Sequence, residues 1–525
     1  MPHPAHDLDV LIVGAGISGL SAAWHLRTSC PGLSIGIVEA REAIGGTWDL
    51  FRYPGVRSDS DMYTLGFRFE PWRGERAIAA GGEIRAYLQQ TADEHGLTSL
   101  IRFGLRVCRL DWDSGEGRWR VQAVRAGSAD HPPHAGGRGR AAEGQAGDGS
   151  MPDATPDATP DSTVEFSCRF VFACSGYYRY EAGHQPDWPG LADYRGVHVH
   201  AQHWPEGLDL RGRRVVVIGS GATAVTLVPA LAEAGAQVVQ LQRTPSYLLA
   251  RPARDALALA LRRMLPPRGA WALTRAASVL LGALLFGLSR RRPAAMRRYL
   301  IDGVRRALPP GYDVDTHFSP PYGPWRQRLC LVPDGDFFRA IRSGRAEVVT
   351  DAIERFTAGG IRLASGRELQ ADIVVSATGL QLQTLGGARM SLDGRPVATG
   401  ELVNYKGVMY CGVPNFAATF GYTHASWTLK ADLTSAFVCR VLERMRASGA
   451  RVCVPRPPPA DEALRPLVDF SSGYFQRAQH LLPRQGSRWP WKLSPGYLSD
   501  AWRLRFGTID DGVLCFDPQV LPRLR

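Results

Sequence analysis

The chain has 525 residues, 45% of them hydrophobic, with 57 glycines, nine scattered cysteines and 62 basic against 50 acidic side chains. That length allows two to four domains with sizeable cores, which excludes a small disulfide-stapled scaffold and, with this apolar content, a disordered chain. No Cys-x-x-Cys pair is present, so neither a zinc site nor a disulfide framework is indicated, and the reduced thiols of a cytoplasmic protein fit best.

The net charge of +12 comes almost wholly from arginine, because Lys406, Lys430 and Lys492 are the only lysines. No nucleic-acid reader motif accompanies it. The charge therefore reads as arginine-rich background along the chain, with no nucleic-acid partner expected.

The first predicted element is a strand over 9–13, too short for the apolar region of a signal peptide and preceded by Asp7 and Asp9. It runs into Gly14-Ala15-Gly16-Ile17-Ser18-Gly19, then a helix to about 28 and a second strand over 34–38 that ends at Glu39. Gly14 makes the tight turn, Gly16 lets backbone approach a pyrophosphate, and Gly19 lets helix and strand pack closely. Glu39 is placed to accept from ribose hydroxyls and would repel a 2′-phosphate, which selects FAD or NAD over NADP. Next come strand patterns over 119–124 and 164–173. Between them, 126–163 has almost no large apolar residue and a tandem Pro-Asp-Ala-Thr repeat, so it is expected to be a disordered insertion in a hairpin-type connection.

A second strand–helix–strand unit begins at 214–218 and turns through Gly219-Ser220-Gly221-Ala222-Thr223-Ala224 and Val225. Its second strand, 237–241, ends in Gln242-Arg243-Thr244 with no carboxylate. Arg243 offers a planar fork of donors suited to phosphate, which reads as NADP preference. Two dinucleotide sites of opposite selectivity describe an FAD enzyme reduced by NADPH. Flavin–disulfide reductases share that plan but need a cysteine pair near the first site, and 41–48 has none. Further on, 276–288 (AASVLLGALLFGL) is uncharged and flanked by Arg275 and Arg290–Arg292. Its thirteen residues fall short of the ~18 of a spanning helix, so a buried helix is expected, with peripheral membrane contact as the alternative. Tyr422, Trp427 and Phe420 read as aromatic core or as lining of a substrate pocket.

The string 194–205, YRGVHVHAQHWP, resembles the fingerprint F-x-G-x-x-x-H-x-x-x-W-[PD] of the type I Baeyer–Villiger monooxygenases, class B flavoprotein monooxygenases, with Tyr194 in place of Phe. Gly45-Gly46-Thr47-Trp48, Arg52-Tyr53-Pro54-Gly55-Val56-Arg57-Ser58-Asp59, Gln327-Arg328 and Ala377-Thr378-Gly379 are similar to further marks of that family. The strings 45–69, 219–230 and 327–333 resemble its subgroup of the mycobacterial ethionamide-activating monooxygenase. The resemblance runs from residue 8 to about 510.

It implies an α/β fold with two Rossmann-like domains. A discontinuous FAD domain (1–190 and 346–525) would enclose a linker carrying the fingerprint (191–212) and an inserted NADP domain (213–345) with a helical insert at about 255–310. It implies FAD reduced by NADPH, O₂ giving a C4a-peroxyflavin, and oxygen insertion into ketones to give esters or lactones. Oxygenation of sulfur or nitrogen, or simple NADPH oxidation, are the alternatives. Arg328 would be the fixed cation beside the reacting oxygen and Asp59 its partner, while His200 would govern domain motion rather than proton transfer. Thr47, Trp48, Asp49, Leu50, Arg57, Ser58 and Val107 would join the glycine turns in holding the cofactors.

Overall fold

The computed structural model describes residues 6–125, 163–327 and 329–516. The expected insertion at 126–163, all but Thr163, and Arg328 lie outside the described residues. In the first sheet, β1 (His6–Val13), β2 (Ile35–Val38) and β3 (Ile101–Arg102) run parallel, and β1 feeds α1 (Ile17–Ser29) before β2. On the other side of β1 lies β6 (Thr163–Ala173), parallel to it with Val10 opposite Phe170. β4 (Leu105–Asp113) and β5 (Arg118–Arg125) extend the sheet antiparallel, and Trp119 of β5 opposes Cys168 of β6. The strands that bracket the insertion are thus hydrogen-bonded neighbours.

The second sheet is wholly parallel. Its strands are β7 (Val197–His200), β8 (Arg214–Ile218), β9 (Gln237–Gln242), β10 (Ala346–Thr350) and β11 (Ile373–Ser376), in spatial order β10-β9-β8-β11-β7. Two expected boundaries change here. The fingerprint was expected in a linker, yet β7 pairs Val199 with Val375 as an edge strand of the second sheet. The division at 345/346 cuts through the same sheet, because β10 and β11 lie beyond it. A short edge strand has one partner and a weak pattern of its own, and a parallel sheet takes neighbours from distant sequence, so periodicity alone does not mark either limit. The chain returns to the first sheet with β12 (Arg389–Leu392), β13 (Arg395–Val397) and β14 (Phe416–Ala418), the last beside β6.

Between β8 and β9 runs α2 (Ala222–Glu233). The insert is α3 (Ala256–Met264), α4 (Pro267–Arg291) and α5 (Pro293–Ala307), followed by α6 (Asp336–Arg342) ahead of β10. α4 was expected to be buried. Only 17% of its most apolar 18-residue window is. Late in the chain, α7 (Trp427–Ser448) packs along α1, and α8 (Tyr497–Phe506) packs on α7. All nine cysteines are free thiols. Cys174, closing β6, is buried and its thiol is pushed up to about 12 by desolvation, which suits an inert packing residue.

Candidate active site

Both crossovers turn on glycine for a steric reason. Gly14 has φ +105°, and a Cβ there would stand 2.8 Å from the Cys174 carbonyl oxygen. Gly219 has φ +143° and packs against the Ala377 carbonyl, which a Cβ would overlap. The helices that follow begin at Gly16 and Gly221, and neither has a side-chain cap. The residues of both first turns instead line one cavity of about 1480 Å³, and a Cβ on Gly221 would meet nothing within 4 Å. Uncapped amides at the positive end of a helix are a cradle for phosphate, so both turns fit a dinucleotide pyrophosphate.

At the first turn Glu39 is buried and accepts from Ala15 N at 2.7 Å and Arg41 N at 2.8 Å. Desolvation raises its pKa against those two bonds. Gly16, Ser18, Thr47, Trp48, Leu50 and Val107 line the same cavity, and Ser18 Oγ accepts from Trp427 Nε1 at 2.7 Å. Asp49 also reaches it, but its carboxylate is held by Arg41 Nε at 2.7 Å, Arg52 Nη2 at 2.7 Å and Arg85 Nη1 at 3.2 Å. Burial alone would raise this carboxyl; the three guanidiniums outweigh it and hold it below the usual range. Arg57 lines the cavity while pairing with Asp336 of α6, a tie from the first unit to the second.

At the second turn Gly219, Ser220, Gly221, Ala222, Thr223, Arg243 and Thr244 line the cavity. Arg243 is exposed at the end of β9 and has no ion pair among the described residues. Asp59 and Gln327 share the wall. Five expected site residues do not line it. Gly19 packs on the Gly14 carbonyl, Ser58 is buried with its hydroxyl accepting from Ala79 N at 3.2 Å, and Ala224 and Val225 are core on the inner side of α2. His200 is the fifth: it ends β7, and its Nδ1 accepts from Gln202 N at 3.1 Å. Burial, then the neighbouring His203, pushes its pKa down to about 4. The fingerprint reaches the cavity instead through Gln202, His203, Trp204 and Pro205.

Sequence reasoning missed the Arg41–Asp49–Arg52–Arg85 cluster and the tyrosines 177, 178 and 180 on the cavity wall. It also missed Tyr474 and Arg477, which the C-terminal segment carries back to that wall. Tyr422 and Trp427 line the cavity as well, whereas Phe420 stacks on Tyr177 at 5.3 Å outside it. Only the tyrosine run offered a local signal.

A family model described as NAD(P)-binding Rossmann-like domain matches residues 12–72, and one described as flavin-binding monooxygenase-like matches 161–263. The chain is 49% identical over 516 residues to the FAD-containing monooxygenase EthA of Mycobacterium tuberculosis, covering 98% of this chain and 99% of that one. It is 42% identical to the probable FAD-binding monooxygenase AlmA of Acinetobacter baylyi, covering 97% and 96%. Among solved structures, a steroid monooxygenase bound to NADP superposes with a TM-score of 0.67 at 24% identity, over 86% of this chain and 88% of that one. Cyclohexanone monooxygenase does so with 0.65 at 19%, over 86% and 90%. The fold and the paired glycine turns define a flavin monooxygenase with two dinucleotide-binding domains. The full-length identity is decisive at the finer level. This chain belongs to the FAD-containing monooxygenases.

Proposed function

We propose that the protein is an NADPH- and O₂-dependent Baeyer–Villiger monooxygenase that converts ketones to esters or lactones. The observation that supports this most is that both uncapped glycine turns open on one cavity, with Asp59 and Trp204 on the wall they share. When bound, FAD supplies hydride acceptance from NADPH and the activation of O₂. The α1 amides and Gly16 hold its pyrophosphate, and Glu39 uses its remaining lone pairs for the ribose. Gly221 and the α2 amides receive the NADPH pyrophosphate, and Arg243 receives its 2′-phosphate. Trp204 and the 177–180 tyrosines exclude water from the space between. Arg328, by its place after Gln327 in the motif, is the permanent cation that stabilises developing negative charge, and Asp59 tunes it. His200, held off the cavity by Gln202, positions the fingerprint loop and does not touch substrate.

Oxygenation of sulfur in thioethers or thioamides is the second reading. It draws on the strings 45–69 and 327–333, which resemble the ethionamide-activating subgroup. A panel of ketones and sulfides, scored by oxygenated product per NADPH consumed, separates the two. Ester or lactone in step with NADPH is expected; S-oxide alone selects the second reading, and peroxide accounting for all the NADPH overturns both. Arg328→Ala is expected to keep flavin reduction and lose product by at least about a hundredfold. Arg243→Ala is expected to raise KM for NADPH about tenfold or more and to leave KM for NADH nearly unchanged, and equal effects would refute the 2′-phosphate contact.

A further inference from the structure

The net charge of the chain is concentrated in one place. Residues 255–310 hold eleven arginines, two aspartates and no lysine or glutamate, a balance of +9 against +12 for the whole protein. These residues are the helical insert, and its longest helix is built inside out. The inner face of α4 carries Trp271, Thr274, Arg275 and Ser289, and Arg275 donates to the carbonyls of Tyr63 at 2.7 Å and Gly66 at 2.8 Å. The outer face carries Leu273, Leu280, Leu281, Leu284 and Leu288, each 43–66% exposed. Their spacing of 0, 7, 8, 11 and 15 residues places them in one stripe along the helix. Arg268 precedes the stripe and Arg290, Arg291 and Arg292 follow it, all exposed and without an ion pair among the described residues. An uncovered leucine stripe is unfavourable in water, and uncompensated guanidiniums at both ends seek anions.

We propose that α4 lies flat in the surface of an anionic lipid bilayer, with its leucines in the acyl boundary and its terminal arginines on lipid phosphates. An amphipathic helix with cations beside an apolar face binds in this way, and the apolar and electrostatic terms add. Spanning does not fit. The uncharged run 276–288 is about 20 Å long at 1.5 Å per residue, short of a hydrocarbon core of about 30 Å. Arg275 also ties the helix to the folded body along its inner face. α8 carries an exposed apolar stripe of its own, Leu498, Trp502 and Phe506, 48–69% exposed at spacings of four. His424 stacks on Phe286 of α4 at 4.1 Å, on the side of the helix away from the leucines, and would lie 3.8 Å from a Cβ at Gly496, where α8 begins.

The test is co-sedimentation of the purified, FAD-loaded, full-length protein with vesicles. It reads binding only, so it stands whichever substrate reading above holds. Wild type is expected to pellet with phosphatidylglycerol–phosphatidylcholine vesicles, to bind pure phosphatidylcholine at least tenfold less, and to be released by 0.5 M NaCl. Leu280→Ser with Leu284→Ser is expected to cut binding at least tenfold, and Arg290→Gln with Arg291→Gln and Arg292→Gln to remove the preference for anionic lipid. Both variants alter exposed side chains, so flavin content and melting temperature are expected to match wild type. Wild-type protein that ignores both vesicles, or variants that bind like wild type, would overturn the proposal. So would a leucine variant whose only change is from dimer to monomer, because a second copy would then be what covers the stripe.

Discussion

Lys430 is one of only three lysines in a chain that otherwise uses arginine for its cations. It is 3% exposed, and its Nζ lies 2.7 Å from Asp500 Oδ2, which also accepts from the Tyr422 hydroxyl at 2.7 Å. Lys406 makes a similar buried pair with Asp511 at 2.8 Å. A compact ammonium fits such a packed pair where a planar guanidinium needs more room and more acceptors. The rarity of lysine was readable in the sequence; the partner 70 residues away was not. Lys430→Met is expected to cost about 3–5 kcal/mol in a denaturant melt, because it leaves Asp500 buried without a counter-charge. Tyr422→Phe removes one bond to a carboxylate still paired with Lys430, and about 1–2 kcal/mol is expected. Equal losses in the two variants would show that the ion pair contributes nothing beyond the phenol.

At the scale of elements, what the sequence disclosed is what is local. The glycine turns, their helices and the strand ends at Glu39 and Arg243 depend on neighbours a few residues apart, and all fall where the spacing places them. Ser58, Ala224 and Val225 share those motifs but face inward, because a motif gives order along the chain and not the direction of each side chain. The tyrosine and C-terminal walls come from segments joined only by folding. The two turns themselves are expected to respond differently to one methyl group. Gly14→Ala meets positive φ and the Cys174 carbonyl, so a loss of at least about 1–3 kcal/mol and of bound flavin is expected. Gly221→Ala keeps an extended φ of −78° with open space ahead, so the melting temperature should hold while KM for NADPH rises. The edge strand β7 carries part of the pH dependence, and His424, which burial also pushes down to about 4, carries another part in the same range. His200 titrates near 4 in the fold and near 6.5 when unfolded, so between those values the unfolded chain holds the extra proton. Stability is therefore lost as pH falls from about 6.5 to 4 and levels off below. His200→Asn keeps an acceptor for Gln202 N and cannot titrate; its melting temperature should fall less between pH 7 and 5, by about 1 °C per kcal/mol of linkage removed for a chain of this size.

For the whole molecule, the net charge of +12 is not spread evenly along the chain. Counted by segment, three quarters of the imbalance belongs to the insert, and the reading of diffuse background gives way to a cationic body with an exposed apolar stripe. The apolar run 276–288 was visible, but which face of α4 is anchored depends on Arg275 finding the carbonyls of the short helix Met62–Leu65 region, a contact more than 200 residues distant. That arrangement bears on turnover. His424 belongs to the loop whose Tyr422, Ala425, Ser426 and Trp427 line the catalytic cavity, and Phe286 of α4 is stacked on it. A bilayer seated on the outer face of α4 would thus lie about one helix diameter, roughly 10 Å, from the loop that lines the cavity. A substrate gains about 0.8 kcal/mol of membrane partitioning per CH₂, so a long-chain ketone or sulfide would be concentrated near that loop and a short one would not. With phosphatidylglycerol-containing vesicles, wild type is expected to show at least about a fivefold lower KM for a long-chain substrate than the Leu280→Ser, Leu284→Ser variant, at unchanged kcat. For a short, water-soluble substrate the two should be indistinguishable. Matching KM values for the long-chain substrate would separate membrane binding from substrate delivery and leave the cavity supplied from water.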